Sequence, residues 1–479
     1  MSKHDPILDA DMLSLLEAQR SNFLNTGAPS LDERIDRITR LIDLIADNQN
    51  ALCNAVSADF GNRSKAETLI ADIGGTLSEL KHAKSHLAQW MKPTKAKVDF
   101  PLRLFGGKAR IQYQPLGVIG IVSPWNFPIY LAIGPMGEAF AAGNSVMLKP
   151  SEFTPATSTL MKQLIEEKFP PTEAVVVTGG VETGVNFTKL PFDHMLFTGA
   201  TSIGKHILHA AADNLVPVTL ELGGKSPAIV TDNADMDVAT SRITAGKLFN
   251  AGQVCLAPDY ALVPRAKVGD FVDQVKNKMA AAYPTLQGNT DYTHIVSDSQ
   301  HARLKALVQQ ARDKGAEVIE VNPANESFDG SNEKVMPPTI IVDPSPELDV
   351  MTDEIFGPIL PVIPYDTVEQ AITFVNARPR PLALYVFSKD AGEQDKVLGN
   401  TTSGGACIND TIMHSTQQSL PFGGVGPSGM GAYHGHHGFK LFSHEKAVYK
   451  QINMDGPFKP LRAPFGEKFK KAIAPMLKK

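Results

Sequence analysis

GVIGIVSP, residues 117–124, is an apolar run opened by a glycine and closed by Ser-Pro. Val118, Ile119, Ile121 and Val122 leave no polar position between them, so a strand built from them has no face prepared for water. NSVMLKPS (144–151), AVVVTGG (174–180), HMLFTGA (194–200) and SPAIVTD (226–232) repeat the style, with helical segments between them. Short apolar strands alternating with helices are βαβ units, and they predict a parallel sheet buried on both faces. The fold class is therefore α/β.

On the N-terminal side, ARIQYQPLG (109–117) alternates like a half-buried strand. Earlier still, Leu31, Ile35, Ile38, Leu41, Ile42 and Ile45 recur at helical spacing from Leu31 to about Phe60. Ser30 and Glu33 stand where a capping box would open that helix. A second helical stretch covers about Glu67 to Trp90, so the first hundred residues read as helical and peripheral. Beyond residue 255 a second α/β series follows: YALVP (260–264), a helical stretch over 268–282, AEVIEVN (316–322), PTIIVD (338–343), LPVIPY (360–365) and ALYVFS (383–388). PFGGVGPSGMGAYHGHHG (421–438) is dense in glycine, and AVYKQI (447–452) reads as another short strand. The tail, EKFKKAIAPMLKK, is basic; it reads as a solvated terminal helix, with contact to a membrane surface as the alternative.

The totals exclude several classes. The chain has 479 residues, 43% hydrophobic and 20% charged, with a formal net charge of -5. That is ordinary for a globular protein and gives no support to a nucleic-acid or anionic-membrane surface. Cys53, Cys255 and Cys407 form neither a disulfide framework nor a zinc pattern, which points to a reducing, cytoplasmic setting. No run approaches the roughly 18 apolar residues that a membrane span requires.

Several motifs bear chemistry, each with a plain structural alternative. NAGQVCLAPD (250–259) sets Cys255 between a small-residue run and a proline, as an inert buried thiol or a nucleophile. LELGGKSP (220–227) puts Glu221 in an apolar stretch, where desolvation raises a carboxyl toward useful basicity unless an ion pair holds it. In SPWNFP (123–128) Asn126 is confined between prolines and aromatics, suited to an oxyanion or to capping the next helix. LKPSE (148–152) ends a strand with Lys149 and Glu152, a surface ion pair or a ribose-binding pair whose carboxylate repels a 2′-phosphate. HMLFTGATSIGK (194–205) sets Gly199 and Gly204 about a strand-to-helix turn, where bare backbone and free amides accept a phosphate. His434, His436 and His437 in AYHGHHGF lack a companion acid or cysteine, so no metal site is expected.

In this order, PWNFP, LKPSE, FTGATSIGK, LELGGKSP, NAGQVCLAPD, DEIFGPILPV and LPFGGVGPSGMG resemble the NAD(P)-dependent aldehyde dehydrogenase superfamily, from about Leu31 to Tyr449. The YHG-x-x-GF-x-x-FSH ending resembles its class 3 branch, and FNAGQVCLAPDY looks most like the bacterial coniferyl-aldehyde dehydrogenases within it. The resemblance implies Cys255 as nucleophile, Glu221 as base and Asn126 as oxyanion partner. It assigns cofactor contacts to Lys149, Glu152, Gly199, Gly204, Glu354 and Phe356; motif neighbourhood adds Tyr130, Leu256 and His414 as pocket residues. NAD is the implied cofactor, with NADP also open. The implied build is a Rossmann-like cofactor domain (1–94 and 117–222, with 420–443 returning to it), an α/β catalytic domain (223–419), a bridging hairpin (95–116 and 444–455) that pairs subunits into a homodimer, and a basic tail (456–479). The implied reaction is oxidation of an aldehyde, coniferyl or another aromatic one first, to the carboxylic acid. Medium- or long-chain aliphatic aldehydes, a CoA-acylating enzyme and a non-catalytic cofactor binder are the alternatives.

Overall fold

The computed structural model of the chain describes residues 7–99, 102–104, 106–328 and 334–478. Helix α1 (Ile7–Thr26) is followed by α2 (Leu31–Phe60). The capping box forms as its residues require: Ser30 Oγ accepts from the Glu33 amide at 3.3 Å and Glu33 Oε2 accepts from the Ser30 amide at 2.6 Å. Gly61, at φ 83°, ends α2 in the left-handed region. The stretch expected as one helix up to Trp90 is broken. A short α3 (Lys65–Thr68) runs into a π-helical turn, Leu69–Gly74, and only then into α4 (Gly75–Trp90).

The chain divides into two compact units, 1–91 with 115–443, and 92–114 with 444–479. The smaller contains a three-stranded sheet in which β1 (Thr94–Ala96) runs antiparallel to β2 (Lys108–Pro115).

The larger unit holds two sheets. The first contains β3 (Val118–Val122), β4 (Ser145–Lys149), β5 (Ala174–Val176), β6 (His194–Gly199) and β7 (Val218–Leu222), all parallel to one another. The second contains β8 (Pro227–Val230), β9 (Tyr260–Pro264), β10 (Glu317–Glu320), β11 (Thr339–Val342), β12 (Ile359–Tyr365), β13 (Ala383–Phe387) and β14 (Gly405–Ile408). Its order is β10-β11-β12-β9-β8-β13-β14, with only β10 antiparallel. A two-residue strand, β15 (Gly429–Met430), returns to lie antiparallel on β7, and β16 (Ser443–Lys450) completes the small sheet of the other unit.

Nearly every residue of β3, β4, β6, β8, β9 and β13 is buried, which is why these strands read as unbroken apolar runs. The first sheet has the order β15-β7-β6-β3-β4-β5. From β3 the chain goes outward through β4 and β5, then crosses back to β6 and β7 on the other side. In such sheets the carboxyl ends of the strands flanking the reversal open a crevice for ligands. The strand ends there carry SPWNFP after β3 and FTGA at the end of β6.

Candidate active site

Cys255 follows a tight turn at Phe249–Gly252 that comes directly off α9 (Met236–Leu248), counting α5 (Tyr130–Ala142), α6 (Pro155–Lys168), α7 (Val181–Thr188) and α8 (Thr201–Ala212) before it. Asn250 and Ala251 hold φ of 51° and 50° in this turn, the left-handed region that non-glycine residues enter at a cost. Side-chain bonds hold it there. Asn250 Nδ2 donates to the carbonyls of Asn126 (3.2 Å) and Gln253 (3.0 Å), and Gln253 Nε2 donates to those of Asn250 and His294 (both 3.0 Å).

Two cavities meet at the cysteine. One, of about 250 Å³, is walled by Trp125, Asn126, Gly199, Gly223, Glu354 and Phe356, among others. The other, of about 400 Å³, is largely apolar, with the rings of Phe127, Tyr130, Phe249, Phe422 and Tyr433 in its wall. Leu131, Thr198, Glu221, Leu222 and Cys255 line both.

The three cysteines are thereby told apart. Cys53 is buried in α2, and Cys407 Sγ lies 3.2 Å from His414 Nδ1, whereas Cys255 is half-buried at the junction of two cavities. Burial raises the Cys255 thiol to about 12, and the carboxyls of Glu354 and Glu221 add to the rise.

Glu221 stands at the end of β7 with both carboxyl oxygens buried and without a hydrogen-bond partner. No ion pair to it forms among the described residues, so burial alone holds its carboxyl well above the usual range. Asn126 is buried in the turn after β3 and donates from Nδ2 to the Gln253 carbonyl at 3.2 Å.

The smaller cavity has glycine and a partnerless carboxyl oxygen in its wall. Gly223 is bare where a Cβ would lie 2.0 Å from Glu354 Oε2, and Glu354 Oε1 is buried without a partner. Burial first, then Asp259, pushes the Glu354 carboxyl up to about 8. Phe356 lies edge-on to Trp125, ring centroids 5.3 Å apart. Helix α8 begins after Ala200 with no side chain capping it, which leaves its first amides free. Gly204 packs against Leu222, where a Cβ would lie 2.9 Å from its Cδ2. Lys149 ends β4 and lies 3.6 Å from Glu152, three residues on, and neither lines the two cavities at Cys255.

Of the pocket candidates, Tyr130 and Leu256 line the larger cavity. His414 does not: its neighbours Met413 and Ser415 do, while its own ring turns to Cys407. His434, weighed in the sequence only as a metal ligand, lies in this wall with Nε2 3.2 Å from the Tyr130 hydroxyl, and burial lowers it to about 3. His436 instead stacks on Trp90 at 5.8 Å, so these histidines do not converge on a point. Arg63, Asp72 and Asn250 carry no sign of their place in the sequence: Arg63 sits in a polar loop, Asp72 in a stretch of helical pattern and Asn250 in a small-residue turn.

Two open α/β sheets, a glycine-walled crevice at a strand reversal and a thiol shared by two cavities make up the architecture of a dinucleotide-dependent dehydrogenase. Comparison with known proteins gives the family. Residues 9–448 match the aldehyde dehydrogenase family, and the chain belongs to it. A probable coniferyl aldehyde dehydrogenase of Caulobacter vibrioides is 50% identical over 98% of this chain and 97% of its own. A coniferyl aldehyde dehydrogenase of a Pseudomonas species is 48% identical, covering 96% and 95% respectively. The crystal structure of a Mycobacterium tuberculosis aldehyde dehydrogenase complexed with NAD+ superposes with a TM-score of 0.83 at 27% identity, over 93% of this chain and 91% of that one. The protein is an oxidoreductase that acts on aldehydes.

Proposed function

We propose that this enzyme oxidises aromatic aldehydes of the cinnamyl type, coniferyl aldehyde first among them, to their carboxylic acids with NAD. The observation that carries this is the sharing of Cys255 and Glu221 by a glycine-walled cavity and an aromatic-walled one. The larger cavity matches a flat aromatic ring in chemistry, and the names of the two close relatives favour the same class. We assign cofactor binding to the lobe of 1–94 and 117–222 with 420–443, and catalysis to 223–419.

The chain's residues divide the work. Cys255, once its proton is removed, forms a bond from sulfur to the aldehyde carbon. The resulting oxyanion accepts from Asn126 Nδ2 and from the Cys255 amide; loss of one such donor typically costs about 3 kcal/mol. NAD, when bound, supplies the acceptor for the hydrogen and two electrons that leave that carbon. A thioester on Cys255 remains. Glu221 then takes a proton from water as the water oxygen bonds to the acyl carbon, the carbon–sulfur bond breaks, and the acid departs. Hydrolysis needs this base, which favours it over transfer to CoA. Glu354 and Phe356 would hold the cofactor beside Cys255. Lys149 and Glu152 would meet its adenosine ribose, where a carboxylate disfavours a 2′-phosphate and so favours NAD over NADP.

Cytoplasmic location fits three free cysteines, and among the described residues no helix is long and apolar enough to cross a membrane. A homodimer paired through the strands of 95–116 and 444–455 fits the exposed edge residues of β1 and β16; light scattering showing a monomer would refute it.

The test is a kcat/KM panel of cinnamyl, benzyl and alkyl aldehydes with NAD, wild type against Cys255→Ala. Cinnamyl members should lead and the variant should form no NADH. Alkyl aldehydes leading would replace the substrate class, and an active variant would remove the nucleophile assignment.

A further inference from the structure

Asn126 is fixed through its backbone as well as its side chain, and the fixing group comes from far along the chain. Arg63 follows α2 and is 1% exposed, with Nη1 donating to the Asn126 carbonyl at 2.6 Å. Its Nη2 lies 3.0 Å from Asp72 Oδ2 in the π-helical turn. This is a charge contact rather than an aligned hydrogen bond, since neither atom gains a hydrogen-bond partner. The guanidinium also sits over the rings of Phe60 and Phe127, 5.2 and 4.9 Å from their centroids. Asp72 Oδ1 accepts from the amides of Ile129 and Tyr130 at 3.1 and 3.2 Å, the free donors at the start of α5.

One buried ion pair thus holds the chain at Asn126 and just after it, by the carbonyl of Asn126 itself and by the amides three and four residues on. Two charges at essentially zero exposure cost several kcal/mol each to desolvate, so a pair placed here only to stabilise the fold is a poor bargain compared with apolar packing. What it gives instead is direction. A planar fork with fixed donors sets the turn's position in a way a point charge cannot.

We infer that Arg63 and Asp72 are positioning residues for the reaction, holding the Asn126 amide where the oxyanion forms. This rests on the proposed role of Asn126 and extends it to two residues outside the cavity wall. Neither touches the substrate; each acts through the turn.

A double-mutant cycle on the full chain with NAD and cinnamaldehyde tests it, reading the rate of the first-turnover NADH burst. Arg63→Lys keeps the charge but cannot reach Asn126 and Asp72 together. Its burst should slow by about tenfold to a hundredfold, with KM within about twofold, because a misplacement of about 1 Å costs that much. In the Asn126→Ala background the same change should add less than about twofold. An equal loss in both backgrounds, or an unchanged burst in Arg63→Lys beside a slow Asn126→Ala, overturns the positioning role alone. An unchanged burst in Asn126→Ala overturns the oxyanion assignment and this inference with it. If Arg63→Lys does not fold, Asp72→Asn, which keeps an oxygen for the two α5 amides, carries the same comparison.

Discussion

Glu221, the base we propose, is held toward the protonation state that cannot act as one. Burial with no partner favours the neutral carboxyl, and the proton of that form has to leave before water can be activated. The sign of the pH dependence follows. Raising the pH from about 6 to about 9 should increase the steady-state rate as the fraction ionised grows. Glu221→Gln should leave the first burst of NADH intact, lower the steady rate by about a hundredfold or more, and flatten that pH limb. Stopped-flow absorbance reads both phases; loss of the burst itself would move Glu221 into the first half-reaction. At this scale the sequence was readable where chemistry forces a residue into an improbable setting, such as a carboxylate inside an apolar run or a thiol beside a proline. The place of His434 in the cavity wall is not legible in the sequence, since only the fold brings it to Tyr130, which precedes it by most of the chain. His414 failed for the opposite reason: it is adjacent in sequence to lining residues, yet its ring points the other way.

Among the elements, the turn at Phe249–Gly252 carries a double constraint. Gly252 has φ 74°, and a Cβ there would lie 2.3 Å from the Gly357 carbonyl oxygen, in the segment that bears Glu354 and Phe356. Two costs are combined at that position, left-handed backbone and a backbone clash. Gly288 separates them, since it has φ 61° with nothing within 4 Å of its Cβ. Gly288→Ala should cost about 1 kcal/mol in stability and no activity. Gly252→Ala should cost more stability and about a hundredfold in kcat, because both the Cys255 turn and the Glu354 segment must shift. Thermal melting and steady-state kinetics on the two variants make the comparison, and equal effects would show that only backbone strain matters. The parallel strands announced themselves because burial on both faces leaves them without polar residues. The break between α3 and α4 did not. A π-turn adds one residue to a helix without disturbing its composition, and it was hidden inside an ordinary helical pattern. For the same reason the N-terminal helices looked peripheral, although their break is what delivers Asp72 to the active-site turn.

Across the molecule the surface charge is unremarkable, at a formal net -5, and the unusual electrostatics lie inside. Burial raises Glu79 to about 7 and Glu354 to about 8, and holds Glu138 and Glu221 well above the usual range. Glu138 has its place only because Gly438 lacks a side chain, whose Cβ would lie 1.7 Å from Oε2; no sequence pattern links residues so far apart. Each of these acids has a folded pKa above its unfolded one. Between the unfolded value of 4.5 and the folded values, the native state therefore binds more protons than the unfolded chain. Stability is then fully present below the unfolded pKa and is lost as pH rises through the folded one. Most proteins gain stability on leaving acid, through carboxylates whose pKa is lowered by partners; here the buried acids oppose that trend on the neutral and alkaline side. The melting temperature should accordingly fall as the pH rises from about 5 to about 8, between the unfolded and folded values. Glu79→Gln, which cannot ionise, should remove part of that slope while leaving the melting temperature near pH 4, below the unfolded pKa, little changed. A flat or rising profile in the wild type would mean that these carboxyls gain partners or water on ionising, and that the interior is less dry than its geometry implies.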